Sequence, residues 1–240
     1  MNLTLDIGNT LTKTGIFEGD TLRKTISFAS FEEADLEKIC SSYKIKQVIF
    51  SSVKEKTNEL TDLLKKKSLV FIELTHETPL PIVNTYKTPH TLGKDRLAAV
   101  VGANFLQPNH DLLVIDAGTA ITFDVITSAG VYWGGTISPG MDMRLKALHV
   151  FTEKLPLVAP QNEVSIRGED TNSAIWNGVA NGILFEIDGY ITALKAIYPN
   201  LYVFLTGGSA FFFDKKLKNP IFAVENLVLT GLNRILNYNV

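Results

Sequence analysis

Two short stretches of this 240-residue chain repeat one arrangement of a carboxylate, a glycine and hydroxyls. The first is Asp6-Ile7-Gly8-Asn9-Thr10-Leu11-Thr12-Lys13, and the second begins Asp116-Ala117-Gly118-Thr119-Ala120-Ile121-Thr122. Each follows an apolar run, so each reads as a strand ending on Asp, a turn, and a second strand leaving it. Aligned on the aspartates, Gly8 coincides with Gly118 and Thr12 with Thr122. Glycine lets backbone N–H groups approach a ligand closely, and successive N–H groups make a nest for an anion. A strand-end carboxylate beside such a nest suits Mg²⁺ or its waters. Two nests and two carboxylates facing each other across a cleft are what a nucleoside triphosphate needs. A single Asp-x-Gly is also an ordinary tight turn, because both residue types favour turns. The paired occurrence, each after an apolar strand, is what favours phosphate binding.

Three further stretches could do chemistry. In Tyr86-Lys87-Thr88-Pro89-His90-Thr91-Leu92-Gly93-Lys94-Asp95-Arg96-Leu97, Pro89 marks a loop and Asp95 falls in the first turn of a helix. Asp95 there is either a helix-start residue or a general base that takes a hydroxyl proton. Arg96 can fork onto a carboxylate or phosphate. Trp133-Gly134-Gly135-Thr136-Ile137-Ser138-Pro139-Gly140 puts a turn directly before a helix, where it lines a pocket or merely ends a strand. Thr206-Gly207-Gly208-Ser209, between a strand and a helix, offers N–H groups at a helix N-terminus for a ribose or an α-phosphate.

The elements that must position these residues follow from periodicity. Strands are expected at Leu3–Asp6, Leu11–Phe17 and Thr21–Phe28, a helix over Phe31–Tyr43, a strand at Gln47–Val53, a helix over Lys54–Lys67 and a strand at Ser68–Leu74. That β-β-β-α-β-α-β order mixes antiparallel and parallel pairing. It repeats from Leu112, with a helix over Met141–Phe151, a long helix over about Asp170–Tyr198 and a last helix over Glu225–Tyr238. The repeat length, near half the chain, predicts two lobes, 1–110 and 111–240, rather than a solenoid. The long helix carries Ile175, Val179, Ile183 and Ile187 on one face, yet holds Gly178, Gly182 and Gly189. Each glycine costs about 1 kcal/mol against Ala in a helix interior. Close approach to the same helix of a second subunit would offset that cost, and so would close packing on the chain's own sheet.

Composition narrows the classes. A net charge of −2 gives no general attraction to nucleic acid or to an anionic membrane. The single Cys40, at helical core spacing, excludes an internal disulfide and any cysteine-based metal cluster. No apolar run approaches a membrane span, and the opening residues lack a secretory pattern, so a cytoplasmic protein is expected. P-loop, Rossmann and G-x-S-x-G signatures are all absent, and the four histidines lack metal-ligand spacing.

Taken together, Asp6-Ile7-Gly8-Asn9-Thr10, Gly93-Lys94-Asp95-Arg96, Asp116 to Asp124, Gly134 to Gly140 and Gly207-Gly208-Ser209 resemble the type III pantothenate kinases across nearly the whole chain. These belong to the sugar kinase/heat-shock 70/actin superfamily. The resemblance implies an α/β fold of two duplicated ribonuclease-H-like (actin-like ATPase) lobes, each a mixed five-stranded sheet with flanking helices. It implies transfer of the γ-phosphoryl of ATP to the primary hydroxyl of pantothenate, the first step of coenzyme A biosynthesis. Residues Asp6, Ile7, Gly8, Asn9, Thr10, Leu11, Thr12 and Lys13 would cradle phosphates with Gly118, Thr119, Gly207 and Gly208, and Asp6 would help hold Mg²⁺, through water. Asp95 would accept the proton; Tyr86, Gly93, Lys94 and Arg96 would complete the pantothenate loop, with Arg96 facing the carboxylate. Asp116 would bind a monovalent cation, K⁺ or NH₄⁺, and Thr171 would reach the partner subunit's site in a homodimer. Lys94 departs from the small residue expected there; it either adds charge beside the substrate carboxylate or points to solvent. Two alternatives are a regulatory protein that keeps the lobes without transfer, and a sugar kinase of the same fold. The retained Asp95 and Arg96 argue against the first, and the short chain and G-x-D-R motif against the second.

Overall fold

The computed structural model describes residues 1–8, 10–52, 58–67 and 69–240. Asn9, the first residues expected in the helix over Lys54–Lys67, and the ends of the strands expected at Val53 and Ser68 lie outside the described residues. In chain order the elements are β1 (Asn2–Ile7), β2 (Thr12–Glu18), β3 (Thr21–Phe28), α1 (Glu33–Ser42), β4 (Gln47–Ser52), α2 (Asn58–Lys66), β5 (Val70–Glu73), β6 (Val83–Asn84), a 3-10 turn (Pro89–Thr91) and α3 (Lys94–Leu106). Then come β7 (Leu112–Ala117), β8 (Ala120–Ile126), β9 (Val131–Pro139), α4 (Met141–Val150), α5 (Thr171–Ile197), β10 (Tyr202–Thr206), α6 (Ala210–Asp214), β11 (Phe222–Ala223) and α7 (Leu227–Asn239). They form two compact units: Met1–Pro108 with Gly130–Trp133 and Asn226–Val240, and Asn109–Ala129 with Gly134–Glu225.

In the first unit the sheet order is β3-β2-β1-β4-β5. β1 is antiparallel to β2 and parallel to β4. Strands so placed are covered on both faces, which is why their apolar runs are nearly continuous. Leu3, Leu5, Val48 and Phe50 bury against Leu36 and Ile39 of α1 and Leu64 of α2. Ile49 and Phe17, on the other face, meet Ala98 and Val101 of α3 and Leu232, Ile235 and Leu236 of α7. The N-terminus of α1 is set by a reciprocal cap in which the Glu32 N–H donates to the Asp35 carboxylate at 3.0 Å.

Helices α3 and α7 cross at backbone contact. A Cβ at Gly231 would land on the Ala98 carbonyl oxygen, and one at Gly102 on the Leu227 carbonyl oxygen. Gly231→Ala gains about 1 kcal/mol of helix propensity, but forcing a methyl into a filled backbone contact costs about 1–3 kcal/mol or more. The overpacking term wins. Gly231→Ala is therefore expected to lower the unfolding free energy by about 2 kcal/mol in a urea titration, and an unchanged midpoint would remove the crossing as a stability determinant.

The second sheet repeats the order of the first and adds a strand, β11-β10-β7-β8-β9-β6, so it has six strands rather than the five expected, β6 pairing parallel to β9. β7 is antiparallel to β8 and parallel to β10. Ile175, Val179, Ile183 and Ile187 of α5 bury on Leu113, Ile115, Phe123 and Leu205, as the sequence predicts. Asp170 and Tyr198 cap α5 rather than lying inside it. The glycines of α5 do not serve this packing: a Cβ at Gly178 or Gly189 would meet nothing within 4 Å, and one at Gly182 only Arg144 Nη1 at 3.9 Å. The reading in which they bring α5 close to the chain's own sheet is therefore set aside.

Register corrects one sequence equivalence. In the first hairpin Ile7 pairs with Thr12 and Asp6 with Lys13. In the second, Ala117 pairs with Ile121 and Asp116 with Thr122. The first turn is one residue longer, so the structural partner of Thr122 is Lys13, not Thr12. Leu11, expected in the strand, sits instead in the turn, where its carbonyl accepts the Gly8 N–H at 3.1 Å.

Candidate active site

In the first unit, β1 ends with Asp6 half-buried, and the parallel register sets Ser51 of β4 beside it. The Ser51 hydroxyl donates to Asp6 Oδ1 at 2.9 Å. Burial lifts the Asp6 carboxyl to about 6; the Ser51 hydrogen bond opposes the rise, the charge of Asp95 adds to it, and Lys13 opposes it. Asp6 therefore ionises at a cost that an adjacent cation would relieve.

Asp95 lies at the start of α3, half-buried, where its Oδ1 accepts the Arg96 N–H at 2.8 Å. Gly93, the residue before that helix, leaves the carboxylate its space: a Cβ there would sit 2.6 Å from Asp95 Oδ1. Lys94 is half-buried. Its ammonium reaches the Ser52 carbonyl at 3.5 Å, at the end of β4. Arg96 is buried, with its guanidinium 5.8 Å from the centre of the Tyr86 ring. This unit thus gathers Asp6, Lys13 and Asp95 electrostatically, and Arg96 and Tyr86 by contact, while Thr10 is exposed and Leu11 is 43% exposed.

In the second unit two glycine-bearing loops converge on the Gly118 turn. The Gly118 N–H donates to the Ala120 carbonyl at 3.1 Å, closing the turn after Asp116. The Gly140 N–H donates to the Thr119 carbonyl at 3.1 Å, and a Cβ at Gly140 would strike that oxygen. From the other side the Ser209 N–H donates to the Ala117 carbonyl at 3.0 Å, and Gly207, at φ +96°, leaves no room for a Cβ beside Asp116 Oδ1 and Ala117. Gly208 faces open space. The Gly134–Gly140 stretch therefore buttresses the Asp116 turn as well as ending β9. Thr171 is exposed on the first turn of α5, beside a groove of about 820 Å³ that Leu148, Phe151, Ala174 and Gly178 also line.

Among the described residues no group of three or more His, Cys, Asp or Glu is placed to hold a metal. A lone, charge-strained carboxylate such as Asp6 fits Mg²⁺, which keeps most of its waters and takes its other oxygens from phosphates. The Asp116 carboxylate, at the turn that holds Gly118 and the Ala120 carbonyl, offers oxygen of the kind K⁺ or NH₄⁺ takes. Sequence reasoning missed Ser51 and Tyr132. Tyr132, wholly buried, stacks on Tyr86 at 6.4 Å between ring centres.

Two mixed sheets, one of five strands and one of six, each with an Asp-x-Gly hairpin among its inner strands, define a duplicated, actin-like fold. A glucomannokinase from Arthrobacter sp. strain KM that uses inorganic polyphosphate or ATP shares it over 99% of this chain and 98% of its own, with TM-score 0.54 and 11% identity. The family model of type III pantothenate kinase matches residues 2–193. A type III pantothenate kinase of Phocaeicola vulgatus is 52% identical over 239 residues, covering 100% of this chain and 99% of that one. A Campylobacter jejuni structure named for the Baf transcriptional-activator family aligns at TM-score 0.63 and 25% identity, over 99% and 98% of the two chains. The chain belongs to the type III pantothenate kinase family.

Proposed function

We propose that the chain phosphorylates pantothenate with ATP to give 4'-phosphopantothenate, the first step of coenzyme A biosynthesis, with Asp95 as proton acceptor. The observation that carries the residue assignment is the half-buried Asp95 carboxylate at the start of α3, with Gly93 leaving it space and the buried Arg96 next to it. Asp95 takes the proton as the primary hydroxyl oxygen attacks the γ-phosphorus; the bond from that phosphorus to the β,γ-bridging oxygen breaks, and ADP leaves. Phosphoryl transfer needs positioning and charge neutralisation more than covalent help. Bound Mg²⁺ would neutralise phosphate charge, and Asp6 would hold it through water. Backbone N–H groups of residues 6–13, Gly118, Thr119, Gly207 and Gly208 would cradle the nucleotide, with Gly208 the most open to it. Arg96 would fork onto the pantothenate carboxylate, with Tyr86, Gly93 and Lys94 shaping the loop.

Asp116 would hold K⁺ or NH₄⁺. We read the duplication as lobes 1–110 and 111–240, and place the enzyme in the cytoplasm; among the described residues no helix is long and apolar enough to cross a membrane. We further propose a homodimer in which α5 meets its copy and Thr171 enters the partner subunit's site. Its support is the exposed run Ala174, Gly178, Phe185 and Gly189, whose glycines have no close neighbour within the chain.

The test is phosphorylation of pantothenate by the purified protein with ATP and Mg²⁺, in K⁺ or NH₄⁺ against Na⁺. Turnover that requires K⁺ or NH₄⁺ and is lost in Asp116→Ala is the expected result. Equal turnover in Na⁺ would remove the cation assignment, and no product with any cation would remove the pantothenate reading.

A further inference from the structure

We propose that Tyr132 is a positioning residue for the acceptor, holding the Tyr86 ring beneath the Arg96 guanidinium; this rests on the reading of Arg96 as the carboxylate-binding group. Tyr132 is wholly buried, and its ring lies nearly parallel to that of Tyr86, 6.4 Å away with 11° between the planes. On the other side of the contact, Arg96 Cζ lies 5.8 Å from the Tyr86 centre, within the range of a cation over an aromatic ring. Arg96 is itself buried, so its orientation is set by what surrounds it.

The backbone also holds the Tyr86 segment to Tyr132. Asn84 pairs with Tyr132 in the β6–β9 ladder. The Tyr132 carbonyl accepts both the Thr85 N–H, at 3.1 Å, and the Thr85 hydroxyl, at 2.7 Å. The Tyr86 N–H donates to Asn84 Oδ1 at 3.0 Å. Residues 84–86 are therefore clamped to Tyr132 by main chain, side chain and ring at once. Tyr86, only half-buried, would otherwise be free to swing from the guanidinium. A bidentate contact to a planar carboxylate tolerates little misorientation. The residue that fixes the plane beneath the guanidinium therefore controls acceptor affinity, and has no part in proton transfer or nucleotide binding.

The experiment is steady-state kinetics on Tyr132→Leu, Tyr132→Phe, Tyr86→Leu and the Tyr132→Leu/Tyr86→Leu double variant. Tyr132→Leu is expected to raise KM for pantothenate about tenfold, with kcat and KM for ATP within about twofold of the parent; that size matches a lost cation–aromatic contact. Tyr132→Phe keeps the flat face and should stay within about twofold throughout. The double variant should be no worse than Tyr86→Leu alone, because Tyr132 acts through Tyr86. If Tyr132→Leu does not fold, Tyr132→Met, which keeps the bulk without the flat face, carries the same expectation. An unchanged pantothenate KM, a parallel fall in all three parameters, or additive losses in the double variant would overturn the proposal. Absence of pantothenate phosphorylation by the parent enzyme would instead overturn the functional reading beneath it.

Discussion

Asp95→Asn should bind ATP nearly as the parent does while turning over roughly a hundredfold more slowly, or worse. The asparagine keeps the size of the side chain and an oxygen to accept the Arg96 N–H, so the start of α3 need not move. What it loses is the ability to take a proton from the attacking hydroxyl. Nucleotide affinity should survive because the groups proposed to hold phosphate belong to other elements, the β1–β2 turn and the loops around Gly118 and Gly207. Removing the Asp95 charge also removes one of the influences that lift Asp6. Single-turnover measurement of the chemical step, beside an ATP titration of the same preparation, separates the two effects. Turnover within a few-fold of the parent would sink the general-base assignment.

Asp6→Asn should make the protein more stable and inactive. Burial lifts the Asp6 carboxyl from 3.8 to about 6 in the folded chain. Folding therefore opposes ionisation of this group, at 1.36 kcal/mol for each pH unit of difference. Above pH 7 the side chain is charged in both folded and unfolded states, and the whole penalty, about 3 kcal/mol, weighs against the fold. As pH falls through 6 the folded chain takes up the proton first, and the penalty shrinks toward zero near and below the unfolded value. The neutral asparagine avoids it at every pH. Denaturant titrations without Mg²⁺ should thus show a gain of about 3 kcal/mol for the variant at pH 7.5, narrowing steadily toward pH 4. A variant no more stable than its parent at pH 7.5 would show that desolvation does not govern this carboxylate. Such a cost, kept at a functional position, is the usual exchange of stability for activity.

How much of this was legible in the sequence depended on whether the signal was local. The strands carrying Asp6 and Asp116 announce themselves by apolar runs ending in Asp-x-Gly, and α5 by its isoleucine spacing, because each signal lies within one element. The duplicated sheet order followed from the repeat of element types. Ser51 was silent: nothing in Val48-Ile49-Phe50-Ser51-Ser52 marks it, and only the parallel register of β4 on β1 brings it to Asp6. Tyr132 reads as one more aromatic in a strand until its pairing with Asn84 is known. The offset of Thr12 from Thr122 is a one-residue difference in turn length, which an ungapped alignment cannot see. For Lys94 the sequence leaves charge beside substrate and a solvent-facing ammonium open, and the Ser52 carbonyl 3.5 Å from its ammonium comes from a distant strand that no local signal marks.

Gly93 bears on how distant relatives should be sorted. A methyl at this position would sit 2.6 Å from Asp95 Oδ1, and the atom it displaces is the end of a mobile side chain rather than backbone. Such a change would cost the fold little and so would not be purged on grounds of stability. It would still move the acceptor carboxylate. A gene product with the same two sheets and an intact Asp-Arg pair, but any larger residue two places before the Asp, should therefore be suspected of having left catalysis behind for another task. Screening on the glycine as well as the carboxylate would separate working kinases from their silent cousins.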